Sequence, residues 1–99
     1  MVYKLSAKNM AATYSLKIIT PQGIAYEGTV FHTFLPTENG FVGVLAHHAP
    51  YLVSSKGGKM KVKEGIGLEK DFQVGPGFFE VNHDKAVFLT TTFIGENKQ

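Results

Sequence analysis

Residues 35–50 read LPTENGFVGVLAHHAP and place a short apolar run between two sets of turn signals. Because Pro36 cannot donate to a sheet ladder, we expect it to end the strand that precedes it. The triplet Glu-Asn-Gly at 38–40 is typical of a tight turn, and its glycine can adopt a positive φ. Pro50 biases Ala49 toward an extended conformation, and residues 47–50 are predicted to form a second turn. The stretch is therefore predicted to be a short strand displayed between two turns.

The composition is that of one small globular domain without covalent cross-links. The chain has 99 residues, of which 43% are hydrophobic, and this is enough for a modest core. It has no cysteine, which excludes disulfides, thiolate chemistry and zinc ribbons. No apolar run approaches the roughly 20 residues that a membrane-spanning helix needs, so we expect no direct membrane insertion. All ten basic residues are Lys, and the absence of Arg disfavours binding to nucleic acid or phosphate groups.

Apolar and polar residues alternate in segments that are typical of strands. Tyr14, Leu16 and Ile18 share one face of the first segment, and three lysines alternate with two apolar residues at 59–63. Turn signals recur about every 8–12 residues, as in small all-β proteins, and no helical period is sustained. This pattern predicts an all-β sandwich or barrel.

The same pattern gives a prediction of the domain organisation. Residues 14–94 are predicted to form the β-domain, residues 1–13 a loosely ordered leader and residues 95–99 a flexible tail. No helical periodicity appears near the end of the sequence, so we expect no C-terminal helical domain.

Two positions in the strand-like segments call for special local structure. Gly28 interrupts the second segment, which predicts either a bulge or a close approach of another group. The segment at 29–35 carries large apolar side chains on both of its faces. It is therefore either covered on both sides, bulged, or located where the chain crosses between two sheets.

The polar residues form no recognisable catalytic or metal-binding pattern. His47 and His48 are adjacent and would point to opposite faces of a strand, so they do not readily bind one ion. Ser54 and Ser55 lack the strand-to-helix context of an activated nucleophile. Gly75-Pro76-Gly77 is not followed by a helix N-terminus that could hold a phosphate. We therefore expect no catalytic residue, no metal and no cofactor.

Two alternative functions fit parts of the sequence. The first is a small β-barrel module that binds single-stranded nucleic acid or another protein. For nucleic acid, Phe31, Phe34 and Phe41 would stack on bases beside the lysines of 59–63. The second is a jelly-roll enzyme with a histidine-based metal site. The missing Arg argues against the first, and the spacing of the histidines argues against the second.

A set of short motifs occurs in a fixed order along the chain. They are LKIITPQG at 16–23, YEG at 26–28, LPT at 35–37, Gly40 with Gly43, HAP at 48–50, GFFEV at 77–81 and AVFL at 86–89. In this order they resemble the epsilon subunit of F-type ATP synthases, and the resemblance covers residues 14–93.

The resemblance implies a flattened sandwich of two mostly antiparallel sheets with about ten short strands. It also implies a non-catalytic subunit of the central stalk, whose partners are the gamma subunit and the membrane-embedded c-ring. By position, the loop that faces the c-ring corresponds to Glu38, Asn39, Gly40 and Phe41. The side that faces gamma corresponds to Thr20, His48 and Val53.

The sequence departs from the family pattern in two places. The family commonly has Pro-Gly before His-Ala-Pro, where this chain has Ala46-His47. Typical members also continue into a C-terminal helical hairpin that can bind ATP or inhibit hydrolysis. Because this sequence shows no helical pattern of that kind, we expect neither ATP binding nor inhibition by a hairpin. The resemblance implies a peripheral location at the cytoplasmic face of a bacterial inner membrane, or at a thylakoid or mitochondrial inner membrane.

Overall fold

The computed structural model describes residues 12–95, and this part of the chain consists of strands joined by tight turns. In chain order the strands are β1 (Tyr14–Thr20), β2 (Gly23–Val30), β3 (His32–Thr37), β4 (Gly40–Leu45), β5 (His48–Ser55), β6 (Gly58–Gly65), β7 (Leu68–Val74), β8 (Gly77–His83), β9 (Lys85–Thr90) and β10 (Phe93–Ile94). Within the described range, no helix is long and apolar enough to cross a bilayer.

The strands form two five-stranded sheets. Sheet I has the order β2-β1-β9-β8-β5, and sheet II has the order β10-β7-β6-β3-β4. All neighbouring strands are antiparallel except β1 and β9, which run parallel in the middle of sheet I. The predicted sandwich of mostly antiparallel sheets is confirmed.

The core lies between the two sheets and is built from alternate residues of each strand. The predicted inward faces are confirmed: Tyr14, Leu16 and Ile18 are buried on β1, as are Met60 and Val62 on β6. Each strand thus contributes one apolar face, and the close packing of these faces holds the sandwich together.

One buried polar cluster lies inside this core. The Tyr14 hydroxyl oxygen is 2.5 Å from Thr33 Oγ1 and 2.9 Å from the carbonyl oxygen of Val44. Burial raises the pKa of Tyr14 to about 12, and the hydrogen bond to Thr33 opposes this shift. Because Tyr14 belongs to sheet I and its partners belong to sheet II, these hydrogen bonds join the two layers.

A second set of contacts joins β2, an edge strand of sheet I, to β6 and β7 of sheet II. Tyr26 of β2 donates a hydrogen bond to Glu64 of β6, and its ring packs 5.0 Å from the ring of Phe72. The Lys70 Nζ is 3.4 Å from a Glu64 carboxylate oxygen. Burial raises the pKa of Tyr26 well above its usual value, and both the hydrogen bond to Glu64 and the charge of that carboxylate add to the shift.

The doubly apolar segment at 29–35 is a crossing between the sheets. Val30 ends β2 in sheet I, and His32 begins β3 in sheet II, with Phe31 at the break. Val30 and Leu35 both face the core, although they lie an odd number of residues apart. The crossing explains why both sequence faces are apolar, because the inward face changes at Phe31.

One predicted strand boundary is wrong. Pro36 does not end its strand, because β3 continues to Thr37 and pairs Pro36 with Phe41. The ladder between β3 and β6 stops at Phe34 instead. The next backbone N–H to point toward β6 would be that of residue 36, and proline has none. Further along the chain, residues 86–93 divide between the two sheets, because β9 ends at Thr90 in sheet I and Phe93 belongs to β10 in sheet II.

The second predicted turn begins one residue earlier than expected, at residue 46 instead of residue 47. The turn is at Ala46-His47, where His47 has a φ of 64°, and β5 begins at His48. Ala49 and Pro50 form an irregularity inside β5. His48 pairs with His83 and Tyr51 with Val81, so β5 advances by three residues where β8 advances by two. The residue that follows the apolar run thus takes the left-handed conformation, and Pro50 sits within an edge strand.

Gly28 is a position of close approach rather than a bulge. A Cβ atom at Gly28 would lie 2.5 Å from the Tyr26 hydroxyl oxygen. The bulge between β1 and β2 occurs at Ala25, where Ile18 pairs with Tyr26 and Ile19 with Ile24. The predicted leader at 1–13 and tail at 95–99 fall almost wholly outside the described residues.

Candidate functional site

The hairpin between β3 and β4 ends in a rigid, exposed tip formed by residues 38–41. The Thr37 hydroxyl donates to the Gly40 carbonyl at 2.7 Å and accepts from the Asn39 N–H at 3.2 Å. Gly40 has a φ of 110°, as its place in the predicted turn requires. All four residues are exposed, and the Phe41 side chain is 68% exposed. The tip is therefore a preformed polar loop with one aromatic side chain, which suits binding to another protein.

The residues predicted to face gamma lie at three separate places in sheet I. Thr20 ends β1, where its hydroxyl accepts a hydrogen bond from the Gln22 N–H at 3.1 Å. Val53 pairs with Phe79 and packs against the core, and Ser55 pairs with Gly77 at the same end of the sheet as Thr20. His48 begins β5 and pairs with His83 at the opposite end. The structure does not bring these three residues together.

An apolar surface that the sequence analysis missed crosses the outer face of sheet I. Ile19, Leu89 and Phe78 occupy one row across β1, β9 and β8, because Leu89 pairs with both of the others. Phe78 is 57% exposed and Leu89 is 51% exposed, and Leu52 on β5 is exposed on the same face. We call Ile19, Leu89, Phe78 and Leu52 the apolar row. Adjacent apolar pairs such as Ile18-Ile19, Phe78-Phe79 and Phe88-Leu89 are its signal in the sequence.

Large exposed apolar side chains in one row are unusual on an isolated soluble domain. The row continues into a groove of about 460 Å³ at the end of sheet I, between Pro21 and Pro76. The groove lies at the end of sheet I where β8 begins, three residues after β7 has ended in sheet II. Near that end, Pro36 at the base of the hairpin tip lies against Gly58, the first residue of β6. The tip and the row therefore form two surfaces that approach the same end of the sandwich.

Comparison with known proteins places this architecture in a family. The model of the beta-sandwich domain of the ATP synthase delta/epsilon chain matches residues 13–96. The chain belongs to this family. It is 39% identical over 77 residues to the ATP synthase epsilon chain of Chlorobaculum tepidum, an alignment that covers 78% of this chain and 88% of that relative. The epsilon chain of Sulfurihydrogenibium is 33% identical over 76 residues, which cover 77% of this chain and 57% of that relative.

Solved structures show the same fold in assembled enzymes. A chain of the Euglena gracilis mitochondrial ATP synthase, solved with OSCP, F1 and the c-ring, superposes with a TM-score of 0.79 at 21% identity, covering 88% of this chain and 56% of the other. A chain of the Tetrahymena thermophila mitochondrial ATP synthase, in a structure of the central stalk and c-ring, gives a TM-score of 0.68 at 12% identity, covering 83% and 66%. At these identities the likeness concerns the fold.

The outer face of sheet II carries the lysine row on which the nucleic-acid alternative depends. Its positive charge is partly neutralised, since Lys61 and Lys63 lie 3.5 and 3.6 Å from the two carboxylate oxygens of Glu69. Burial lowers the pKa of His32, and the charge of Lys63 lowers it further, so protonation of His32 is disfavoured beside the lysines.

The aromatic residues of that alternative do not form one platform. Phe34 and Phe41 line a shallow cleft with the lysines, whereas Phe31 lies at the crossing between the two sheets. The two sheets also remain separate and do not close into a barrel. For the metal alternative, no three His, Asp or Glu side chains within residues 12–95 are grouped so that they could hold an ion.

Proposed function

We propose that this chain is a non-catalytic rotor subunit of the central stalk of a proton-translocating ATP synthase. Its family membership supports this proposal, and the apolar row is the observation that carries it. An exposed row of Phe and Leu side chains is costly on a free subunit and is stabilising once a partner covers it. We assign the apolar row to the gamma subunit and the hairpin tip, residues 38–41, to the polar loops of the c-ring.

This assignment modifies the predicted gamma side. Thr20 lies next to Ile19 and borders the apolar row, so it stays part of the proposed contact. Val53 packs toward the core, and its neighbour Leu52 presents an exposed side chain to the outer face in its place. His48 stays a predicted contact at the far end of β5.

The proposed role follows from the mechanical properties of the fold. Torque must pass from the ring to the shaft without slip, so a subunit between them has to resist shear. A close-packed sandwich is poorly compressible, and its two layers are joined here by the hydrogen bonds of Tyr14 and Tyr26. The chain would therefore act as a stiff wedge that widens the contact between ring and shaft. It would be peripheral to the membrane, at the cytoplasmic face in a bacterium.

The first test is binding of the purified chain to the gamma subunit. We expect a one-to-one complex on a sizing column at micromolar concentration. A folded chain that forms no such complex would contradict the rotor assignment.

The second test locates the contact by replacing Phe78 with Ala. A Phe side chain buries about 150–250 Å², so the 57% that is exposed corresponds to roughly 85–140 Å². At about 25 cal/mol per Å², covering it contributes about 2–3.5 kcal/mol. Since Ala retains part of this area, we expect gamma to bind about 10- to 50-fold more weakly. Ile66→Ala, on the β6–β7 turn, is the matched control because it removes an exposed apolar side chain far from the row. Equal losses in both variants would contradict the assignment of this surface.

A further inference from the structure

The two sheets have four edge strands, and three of them are protected against pairing with another strand. Strand β2 carries the bulge at Ala25 and the charged Glu27, and β5 is interrupted at Ala49-Pro50. Strand β10 has only two residues. Bulges, charges, proline and short length are the usual means by which edge strands avoid pairing.

Strand β4 has none of these protections. Its six residues, GFVGVL, contain no charged residue and no proline, and its pairing with β3 runs without a register shift. Within residues 12–95, no strand covers its outer edge. Phe41 and Leu45 on this strand are 68% and 55% exposed. An uncovered apolar edge of this kind is a site for strand addition.

The hairpin turn determines which backbone groups point to that free edge. Glu38 and Asn39 form a two-residue turn, so Thr37 and Gly40 are the first hydrogen-bonded pair. Hydrogen-bonded pairs then alternate along the hairpin, and Pro36 falls in a non-bonded pair, as a residue without an N–H must. The N–H and C=O groups of Phe41, Gly43 and Leu45 therefore point away from β3.

We propose that the free edge of β4 pairs antiparallel with the same edge of a second copy of this chain, about a two-fold axis at Gly43. In this register Gly43 faces Gly43 of the second copy, and Phe41 faces Leu45 of the second copy. The outward groups of Phe41, Gly43 and Leu45 then satisfy one another in six hydrogen bonds. Val42 faces Val44 of the second copy on the inner side, which extends the core contact.

The occupant is a second copy because the strand is complementary to itself. Phe41 and Leu45 lie two residues on either side of Gly43. The two-fold axis therefore places each Phe41 opposite Leu45 of the other copy. Pairing of β4 with β2 or β5 of another copy is opposed by their bulges and would create an open chain of subunits. Among the pairings that β4 can make, the contact with β4 of a second copy is the isologous one that closes into a dimer.

This pairing covers Gly40 and Phe41, which belong to the tip that we assign to the c-ring. The dimer is therefore a form of the unassembled chain, because the same chain cannot pair through β4 and bind the c-ring at the same time. It stands on the geometry of the β4 edge and does not involve the apolar row, so it can fail while gamma binding stands. One strand pair is a small interface, so we expect association in about the 10 µM to 1 mM range.

Sedimentation equilibrium of the purified chain over about 10 µM to 1 mM tests the proposal. We expect the mean mass to rise toward that of a dimer. Phe41→Lys and Leu45→Glu should each weaken association about tenfold, because each removes two symmetric cross-strand pairs. The double variant should regain wild-type association to within about threefold, because the introduced ammonium group of one copy would then face the introduced carboxylate of the other.

Leu68→Glu is the matched control, since Leu68 is similarly exposed but lies on β7, which is separated from β4 by β6 and β3 in sheet II. Thermal unfolding of each variant checks that it is folded. A wild-type chain that stays monomeric throughout would overturn the proposal. So would a double variant no better than the single ones, or a Leu68→Glu variant that weakens association equally.

Discussion

Replacing Tyr14 with Phe removes one hydroxyl from the centre of the sandwich. Tyr14 is 2% exposed, and both Thr33 and Val44 are fully buried, so water cannot replace the lost hydrogen bonds. The change leaves the Val44 carbonyl without the tyrosine proton and the Thr33 hydroxyl without its neighbour at 2.5 Å. A buried polar group that loses its partner costs about 1–3 kcal/mol. We expect Tyr14→Phe to lower the free energy of unfolding by about 2 kcal/mol, or Tm by about 8–16 °C.

A double-mutant cycle separates the hydrogen bond from general packing effects. Thr33→Val should cost about 1 kcal/mol alone, because Tyr14 keeps its bond to the Val44 carbonyl. Combined with Tyr14→Phe it should cost about 1 kcal/mol less than the sum of the two, because no hydroxyl is then left unpaired. Thr29→Val is the control, since Thr29 is exposed on the edge strand β2, and it should change stability by less than about 0.5 kcal/mol.

Urea unfolding followed by circular dichroism measures all four variants. An unchanged m-value would show that the variants differ in stability and not in the extent of unfolding. If Tyr14→Phe lies within about 0.5 kcal/mol of the wild type, or if the two costs simply add, the hydroxyl cluster does not join the layers as argued.

Two further predictions concern the fold. Because burial raises the pKa of Tyr14 from 10.0 to about 12, the unfolded chain loses this proton first as the pH rises. The stabilising contribution is complete below pH 10 and is lost between pH 10 and 12, about 2–3 kcal/mol in all. Urea unfolding at these pH values should show the decline. Tyr14→Phe should make it less steep and leave the part due to Tyr26, whose pKa is also raised; an equally steep decline in the variant would contradict the contribution of Tyr14. Gly77→Ala should cost about 3 kcal/mol or more, because its Cβ would lie 1.9 Å from the Leu89 carbonyl oxygen on the neighbouring strand. Gly65→Ala is its control, since that Cβ would meet only the flexible end of Leu68, and a thermal melt showing equal losses would refute the steric argument.

The local patterns in the sequence predicted the strands and their inward faces. Alternation placed Leu16 and Ile18 in the core because a strand with one covered face repeats every two residues. The turn at Glu38-Asn39 was predictable for a similar reason, since few residue types adopt its conformation. Each of these signals acts within a few residues.

Features that depend on distant strands were not predictable in the same way. Pro36 interrupts only the pairing of β3 with β6, a strand more than 20 residues away, whereas the pairing of β3 with β4 continues past it. The apolar row was missed because Ile19, Phe78 and Leu89 become neighbours only through the strand order of sheet I. Single residues carried part of the signal, but the order of the strands decided which of them share a surface.

The parallel pair of β1 and β9 has a consequence for how the chain acquires its structure during synthesis. The first described strand is the neighbour of one that begins 65 residues after it ends, from Thr20 to Lys85. Hairpins such as β3–β4 and β6–β7 can close as soon as they leave the ribosome, whereas β1 must wait for almost the entire domain. Such long-range pairing slows folding, because the entropy of closing the loop is lost before the contact forms. Until β9 arrives, β1 and β2 expose the apolar side chains of half a core, which is when this chain is most open to capture by a chaperone or to aggregation.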